Sequence, residues 1–250
     1  IVSGLAPNST PKPDESRLSL SFSQVQLPQH VVEVATVADG MNALLLSAVN
    51  GALVRSDARA NPITSLELAM KLRGREFFLE GAEKDLRGLK EILADSLSIS
   101  EASEPQAWAQ LGEWVSDMKD LAYAVFEHAL PTGRGFGLLT NSRRGLQFHT
   151  DEGLFVGLVA YRGPGTEFIA NRDVVGGRNG KVYQREGASF FQAQNNEILL
   201  SRGRLMIPGF TDGLVHRAPS APGPERLIFF AYGLPDSSKL QRPDAPSIIT

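Results

Sequence analysis

The chain has no cysteine among its 250 residues. Disulfides, thiolate zinc sites, iron–sulfur clusters and cysteine nucleophiles are therefore excluded. Any metal must be held by His, Asp, Glu or water. Histidine is scarce as well. His30, His128, His149 and His216 are the four present, so their placement is informative. An excess of one charge is lacking too: 25 Lys and Arg stand against 28 Asp and Glu, a formal net charge of −3. That balance argues against bulk binding of duplex nucleic acid. No apolar run approaches the ~20 residues of a membrane-spanning helix, and no charged-then-apolar leader opens the chain. The expectation is a cytoplasmic protein with neither membrane nor nucleic-acid partners. The first residue is Ile1 and not Met, which fits a trimmed start.

What is present is ordinary for a globular protein, with 42% hydrophobic and 21% charged residues on a chain long enough for one sizeable core. Residues 1–20 crowd turn formers (Pro7, Asn8, Pro11, Pro13) without an apolar period and read as a flexible N-terminal arm. The β-branched run Val31–Val37 predicts a strand. Met41, Leu44, Leu45, Ala48 and Val49 have helical spacing. Asn61 before Pro62 predicts a helix start, with Leu66, Leu68, Met70 and Leu72 beyond it. Leu86, Leu89, Leu93 and Leu97 predict a helix over Ala82–Leu97. The clearest helix spans Glu104–Leu130, with Trp108, Leu111, Val115, Met118, Ala122 and Val125 as its apolar stripe.

After Pro131 glycines multiply and helical periods stop. Gly133, Gly135 and Gly137 lack the flanking strand and helix of a dinucleotide fingerprint and read as a loop. Short apolar runs follow at Leu154–Tyr161, Glu197–Leu200, Leu205–Ile207 and Arg226–Tyr232, separated by turn clusters. This texture predicts a β sandwich or barrel behind a helical first half.

The chemistry-bearing pattern lies in this β half. His149 and Asp151 are two apart, so an extended backbone points both to one face. His216 precedes another apolar strand, and Arg226 follows it by ten residues. Two imidazoles and a carboxylate occupy one face of an octahedral ion and leave positions open, which suits Fe(II) with a cosubstrate and dioxygen. An Arg on the next strand can grip a carboxylate through two parallel N–H groups, which Lys cannot do. Alternation along that strand predicts Arg226, Ile228, Phe230 and Tyr232 on one face and Leu227, Phe229 and Ala231 on the other. Arg217, directly after His216, points away from the metal as a salt bridge or rim contact. His30 and His128 read as structural. Arg143, Arg144, Arg172, Arg178, Lys181 and Arg185 could ring the barrel mouth. No G-x-S-x-G elbow is present.

H-x-D, a strand, a distal His and an Arg ten residues on resemble the Fe(II)- and 2-oxoglutarate-dependent oxygenases. The stretch Leu158–Tyr161 followed by Gly163–Phe168 is similar to the strand–turn–strand that follows H-x-D there. Asn196–Ser201, or Gly203–Pro208, resembles the strand before the distal His. The strings FHTDEGLFVGLVAYRGPGTEF and LVHRAPSAPGPERLIFF look closest to an uncharacterised bacterial family of that clan. The resemblance covers about residues 145–235. It implies an α+β protein with a double-stranded β-helix, or jelly-roll, core and an N-terminal helical layer packed on one sheet. The organisation expected is a single oxygenase domain over 21–250, helical over about 31–130 and β-helical over about 131–235. His149, Asp151 and His216 would ligate Fe(II). Arg226 would bind the distal carboxylate of 2-oxoglutarate, with the Tyr161 hydroxyl beside it. Many members carry Ser or Thr two residues after the Arg; here that position is Ile228, so Tyr161 or Thr166 would have to supply the hydroxyl. The implied activity is dioxygenase hydroxylation of a C–H bond in a small-molecule or amino-acid-like substrate, with homodimer formation an open option. Two other readings stand beside it. One is a cupin-like metal-binding module serving as sensor or isomerase, which has no need of Arg226. The other is an interaction domain run by the helical half.

Overall fold

The computed structural model describes residues 27–46, 48–55, 62–63, 66–129, 133–140, 145–151, 153–176, 182–203, 213–219 and 226–233. The expected arm over 1–20, the Asn61 cap, the run Leu205–Ile207, and Arg143, Arg144, Arg178 and Lys181 lie outside them. In chain order the elements are β1 (Val31–Val34), α1 (Val37–Leu44), β2 (Gly51–Val54), α2 (Leu66–Leu72), β3 (Phe78–Ala82), α3 (Leu89–Leu97), α4 (Pro105–Glu127), β4 (Arg134–Thr140), β5 (Phe155–Arg162), β6 (Glu167–Ile169), β7 (Val174–Gly176), β8 (Val182–Gln184), β9 (Phe190–Gln192), β10 (Ile198–Arg202), β11 (His216–Arg217) and β12 (Leu227–Gly233).

Seven strands form a large sheet in the order β1-β2-β10-β5-β12-β4-β3, antiparallel except for β1 with β2. A smaller antiparallel sheet has the order β11-β6-β9, and a bridge from His149 to His216 extends it by one more segment. From β4 onward the chain alternates between the two. The His149 segment lies in the small sheet, β5 in the large one, β6 and β9 in the small, β10 in the large, β11 in the small and β12 in the large. That alternation is a double-stranded β-helix, and the fold is α+β as expected. The hairpin β7–β8 stands apart as a third, two-stranded sheet.

The helices cover the outer face of the large sheet. Pro105 opens α4 at its first turn, where a missing N–H costs nothing. Ala107, Leu111, Trp114, Val115, Met118, Leu121, Ala122, Val125 and Phe126 are buried from it. They share one core with Phe155, Val159, Tyr161, Leu227, Phe229 and Ala231 of the sheet. Each large side chain so buried contributes roughly 1.5–3 kcal/mol. Leu121 and Val125 sit directly over Gly157, where a Cβ would come 2.7 Å from Leu121 Cδ1. Trp108 was expected in this stripe but is only half-buried, with the Lys90 ammonium 4.0 Å above its ring. Trp114, fully buried and edge-on to Tyr161, holds the central place instead.

Other expectations shift at their edges. The predicted helix beginning at Met41 starts earlier, at Val37, because Thr36 caps it by accepting from the Asp39 N–H at 3.1 Å. It ends at Leu44, leaving Leu45 and Leu46 exposed. There the buried Arg202 guanidinium donates to the Leu44 carbonyl at the helix end and to the Leu46 carbonyl beyond it, which also accepts from the Val49 N–H at 3.1 Å. The Ala82–Leu97 segment divides into a 3-10 turn, Glu83–Gly88, and α3, although Leu86, Leu89, Leu93 and Leu97 are all buried as their spacing implied. The helical stretch also contributes β1 and β2 at one edge of the large sheet and β3 at the other.

Of the three glycines read as a loop, Gly133 does lie in a turn, with φ at +93°, and the other two are a correction. Gly135 and Gly137 lie inside β4. Across the ladder they face Tyr232 and Phe230, whose rings lie over the glycine backbone. A Cβ at Gly137 would come 2.4 Å from the Phe230 ring and one at Gly135 2.5 Å from Tyr232. The glycines make room for two aromatic rings and do not mark a turn.

Candidate metal centre

His149 and His216 face each other across the small sheet, each backbone N–H donating to the other's carbonyl at 2.9 Å. Their rings lie 4.6 Å apart. Each imidazole meets a carbonyl two residues before it in sequence. His149 Nδ1 is 2.8 Å from the Gln147 oxygen, and His216 Nδ1 is 3.1 Å from that of Leu214. A carbonyl can only accept, so each Nδ1 carries its proton and the neutral ring presents an Nε2 lone pair. Gly145 is what allows the His149 ring its place. With φ at +70°, it would bring a Cβ 2.7 Å from His149 Cε1. The Gly145 carbonyl meanwhile accepts from the Ala218 N–H at 2.7 Å.

Asp151 stands between the rings, with Oδ1 3.7 Å from His149 Nε2 and Oδ2 3.3 Å from His216 Nε2. One ligand atom from each of the three residues lies within 4.8 Å of the others. Burial acts to raise the Asp151 carboxyl, but the charges on His216 and His149 hold it below the ordinary carboxylate value. Burial likewise opposes protonation of His216, yet Asp151 outweighs it and raises that imidazole. His149 goes the other way, lowered by burial and then by His216. Asp151 Oδ2 is a buried atom that accepts no hydrogen bond of ordinary geometry. A buried carboxylate oxygen so placed, with two Nε2 atoms beside it, fits a divalent cation. The 2-His-1-carboxylate donor set is the one used for non-haem Fe(II).

Arg226 is buried just before β12. Its Nε donates to the Pro164 carbonyl at 2.9 Å, and Nη2 lies 3.4 Å from Thr166 Oγ1. Burial lowers the guanidinium to about 10, with the nearby Glu167 charge working in the opposite direction. His149, Asp151, His216, Arg226 and Thr166 line one cavity of about 180 Å³, walled by Leu139, Val156, Leu158, Ile228 and Phe230. The predicted alternation along β12 holds: Ile228 and Phe230 face the cavity, while Leu227, Phe229 and Ala231 join the helical core.

A family model described as "Protein of unknown function (DUF1826)" matches residues 38–230. The chain belongs to this family. No curated protein matches the chain. Among solved structures, this family member is similar to the dioxygenase for auxin oxidation 1 from Arabidopsis thaliana in its 2-oxoglutarate complex. That match is 14% identical with a TM-score of 0.46, covering 85% of this chain and 94% of that one. It is also similar to a prolyl 4-hydroxylase from Phytophthora capsici, at 10% identity and a TM-score of 0.40 over 78% of this chain and 61% of that one. The 2-oxoglutarate of the first and the activity named for the second are properties of those proteins.

Of the residues singled out from sequence, the structure brings together His149, Asp151, His216 and Arg226, and it sends Tyr161 elsewhere. Tyr161 lies on the opposite face of β5 from Val156 and Leu158, buried against Trp114, with its hydroxyl donating to Asp117 Oδ2 on α4. It does not line the cavity, which corrects its expected place beside a cosubstrate. Arg217 borders the cavity and makes the salt bridge expected of it. Its Nε lies 2.6 Å from Glu167 Oε2, and its guanidinium stacks over Phe148. Arg172 and Arg185 are not among the cavity's lining residues. His128 caps the end of α4 and lies edge-on to Phe155. The orienting carbonyls of Gln147 and Leu214 carry no sequence signal, because any residue supplies one. Among the described residues, no helix is long and apolar enough to cross a membrane.

Proposed function

We propose that the protein is an Fe(II)- and 2-oxoglutarate-dependent dioxygenase that oxidises a C–H bond of a small molecule. The observation that carries this reading is a buried arginine sharing a small cavity with a two-histidine, one-carboxylate triad. Fe(II) with 2-oxoglutarate supplies, when bound, the power to activate dioxygen and oxidise an unactivated C–H bond. The chain's own residues do the rest. His149 and His216 offer Nε2, kept free by the carbonyls that hold Nδ1. Asp151 supplies the anionic ligand, and its burial favours giving a cation rather than water the Oδ2 lone pair. The Arg226 guanidinium, depressed by burial, gains from an anion that enters the cavity. Leu139, Val156, Leu158, Ile228 and Phe230 exclude water around that anion's carbon chain and strengthen the electrostatic contact. A cupin-like module gives no reason to bury an arginine here, at an unfavourable desolvation cost.

The test is succinate formation from 2-oxoglutarate by purified protein with Fe(II) and ascorbate. Arg226→Lys keeps the charge but loses the planar fork, so the 2-oxoglutarate concentration needed for half-saturation rises about tenfold or more. Wild-type turnover with saturation unchanged in Arg226→Lys overturns the clamp. Absence of succinate with metal bound returns the cupin-like reading to the front.

A further inference from the structure

We propose that the free edge of β9 is a docking site for an extended peptide, which adds to the small sheet as a further strand. The proposal does not depend on the reading of the metal centre. Among the described residues β9 pairs with β6 alone and ends its sheet. Just past it, the Ala193 N–H donates to the Thr166 carbonyl at 3.0 Å. In an antiparallel ladder, facing residues exchange both bonds at every second pair. Phe191, two residues back and opposite Phe168, therefore uses its N–H and C=O on β6, while those of Phe190 and Gln192 point away from the sheet. The Gln192 carbonyl accepts the Gln194 side-chain amide at 3.4 Å. The Phe190 N–H and C=O and the Gln192 N–H have no partner among the described residues. Residues 189–192 also lack the proline, lysine or other charge that ordinarily blunts an open edge.

A cavity of about 790 Å³ lies along this edge, larger than the triad cavity and with no lining residue in common. Ser189, Phe190 and Phe191 all border it. Neighbouring strand residues point to opposite faces, so a space that touches both phenylalanines runs beside the strand and not over one face of the sheet. Phe191 turns one way and stacks on Phe168 at 5.7 Å; Phe190 turns the other, 5.5 Å from the Arg217 guanidinium, and is 45% exposed. Another wall is apolar, made by Leu27, Pro28 and Ala48. Backbone bonds fix it: the Pro28 carbonyl accepts from the Val31 N–H at 2.8 Å and the His30 carbonyl from the Asn50 N–H at 2.9 Å. The occupant is thus specified twice. The strand edge presents donors and an acceptor at the spacing of another backbone, and the wall presents surface for its apolar side chains. Main-chain bonds then give affinity and the wall gives selectivity. An apolar small molecule would cover the wall but leave the Phe190 and Gln192 N–H groups unpaired.

The test uses the full chain and a set of acetylated, amidated seven-residue peptides. These carry serine at odd positions, Val, Leu, Ile or Phe at even ones, and a lysine tail for solubility. Binding is read by fluorescence polarisation. The tightest member is remade with N-methyl groups on its odd amides or on its even amides. One set faces β9, so its methylation weakens binding about tenfold or more, while methylation of the other set costs less than about threefold. Phe190→Pro removes the outward N–H and leaves the ladder to β6 untouched, a place where an edge strand tolerates proline. It weakens the same peptide about tenfold or more, whereas Phe190→Leu stays within about threefold. Amide exchange on the wild type needs no substitution. Bound peptide slows exchange at Phe190 and Gln192 about tenfold or more and leaves Phe191, already bonded to β6, within about twofold. No binding by any member, equal effects of the two methylation patterns, full affinity in Phe190→Pro, or unchanged exchange at Phe190 and Gln192 each overturns the proposal. A concentration-dependent dimer of the free chain in which those two amides are protected overturns it in favour of a second copy.

Discussion

Tyr161 and Arg226 make a crossed test of the inner and outer faces of the barrel. Tyr161→Phe removes one oxygen and leaves the ring against Trp114, 5.6 Å between centroids, so no cavity opens. What is lost is the hydroxyl's hydrogen bond to the half-buried Asp117 carboxylate. A hydrogen bond to a charged group is worth about 1.5–3 kcal/mol, and partial access of water to Asp117 reduces that to about 1–2 kcal/mol. For a domain of this size 1 kcal/mol moves Tm by about 2–4 °C, so Tyr161→Phe melts about 2–8 °C lower. Its affinity for 2-oxoglutarate stays within about twofold of wild type, because the ring never enters the cavity. Arg226→Lys gives the reverse pattern, an affinity loss of about tenfold or more. Thermal denaturation followed by circular dichroism, with calorimetric titration on the same preparations, reads both quantities. A Tyr161→Phe variant with unchanged Tm and weakened 2-oxoglutarate binding would refute the strand-face assignment.

Other outcomes follow from the same contacts. His149→Ala and His216→Ala each lower divalent-metal affinity by more than about a hundredfold, measured by elemental analysis and competition; equal metal content in all three proteins removes the triad. A proton and a metal compete for His216 Nε2, and Asp151 raises that imidazole. Metal affinity therefore falls as pH drops from about 8 to about 6, with proton release on binding, and a flat profile contradicts this. Trp114→Ala costs about 3–5 kcal/mol in urea denaturation, whereas Trp108→Ala, half-buried under Lys90, costs about 1 kcal/mol; the opposite order would put the helix face elsewhere. Gly137→Val forces a side chain into the Phe230 ring and destabilises the protein by about 1–3 kcal/mol, with near-neutral stability as the contrary result.

What was legible in the sequence, and what was not, divides along lines of chain geometry. The triad was legible because His149, Asp151 and His216 depend only on strand alternation and on pairing of two segments. β12 was legible for the same reason, once Arg226 was taken as inward. Tyr161 was misplaced because a resemblance located it by distance from H-x-D, while alternation along β5 decides its face. Leu158 lines the cavity and Tyr161 is three residues on, an odd step, so the two point in opposite directions. The pairing of β5 with β12 also shifts between Leu227 and Ile228, an irregularity with no composition signal. The β4 glycines were misread for a different reason. Their period of two is that of a strand, with Phe136 and Leu138 buried on the other face, but glycine is ordinarily taken as a mark of turns. What made them strand residues was the pair of aromatic rings on β12, a contact from more than 90 residues away in the chain. β1 was legible in the β-branched run from Val31, but β2 escaped for want of contrast. Gly51–Val54 is buried on both faces and offers no alternation to read. The site's chemistry thus sits where local geometry governs, on alternating strands. The residues that frame it, from the Thr166 turn to the rings over β4, are set by pairings between distant segments, and only the folded chain brings them together.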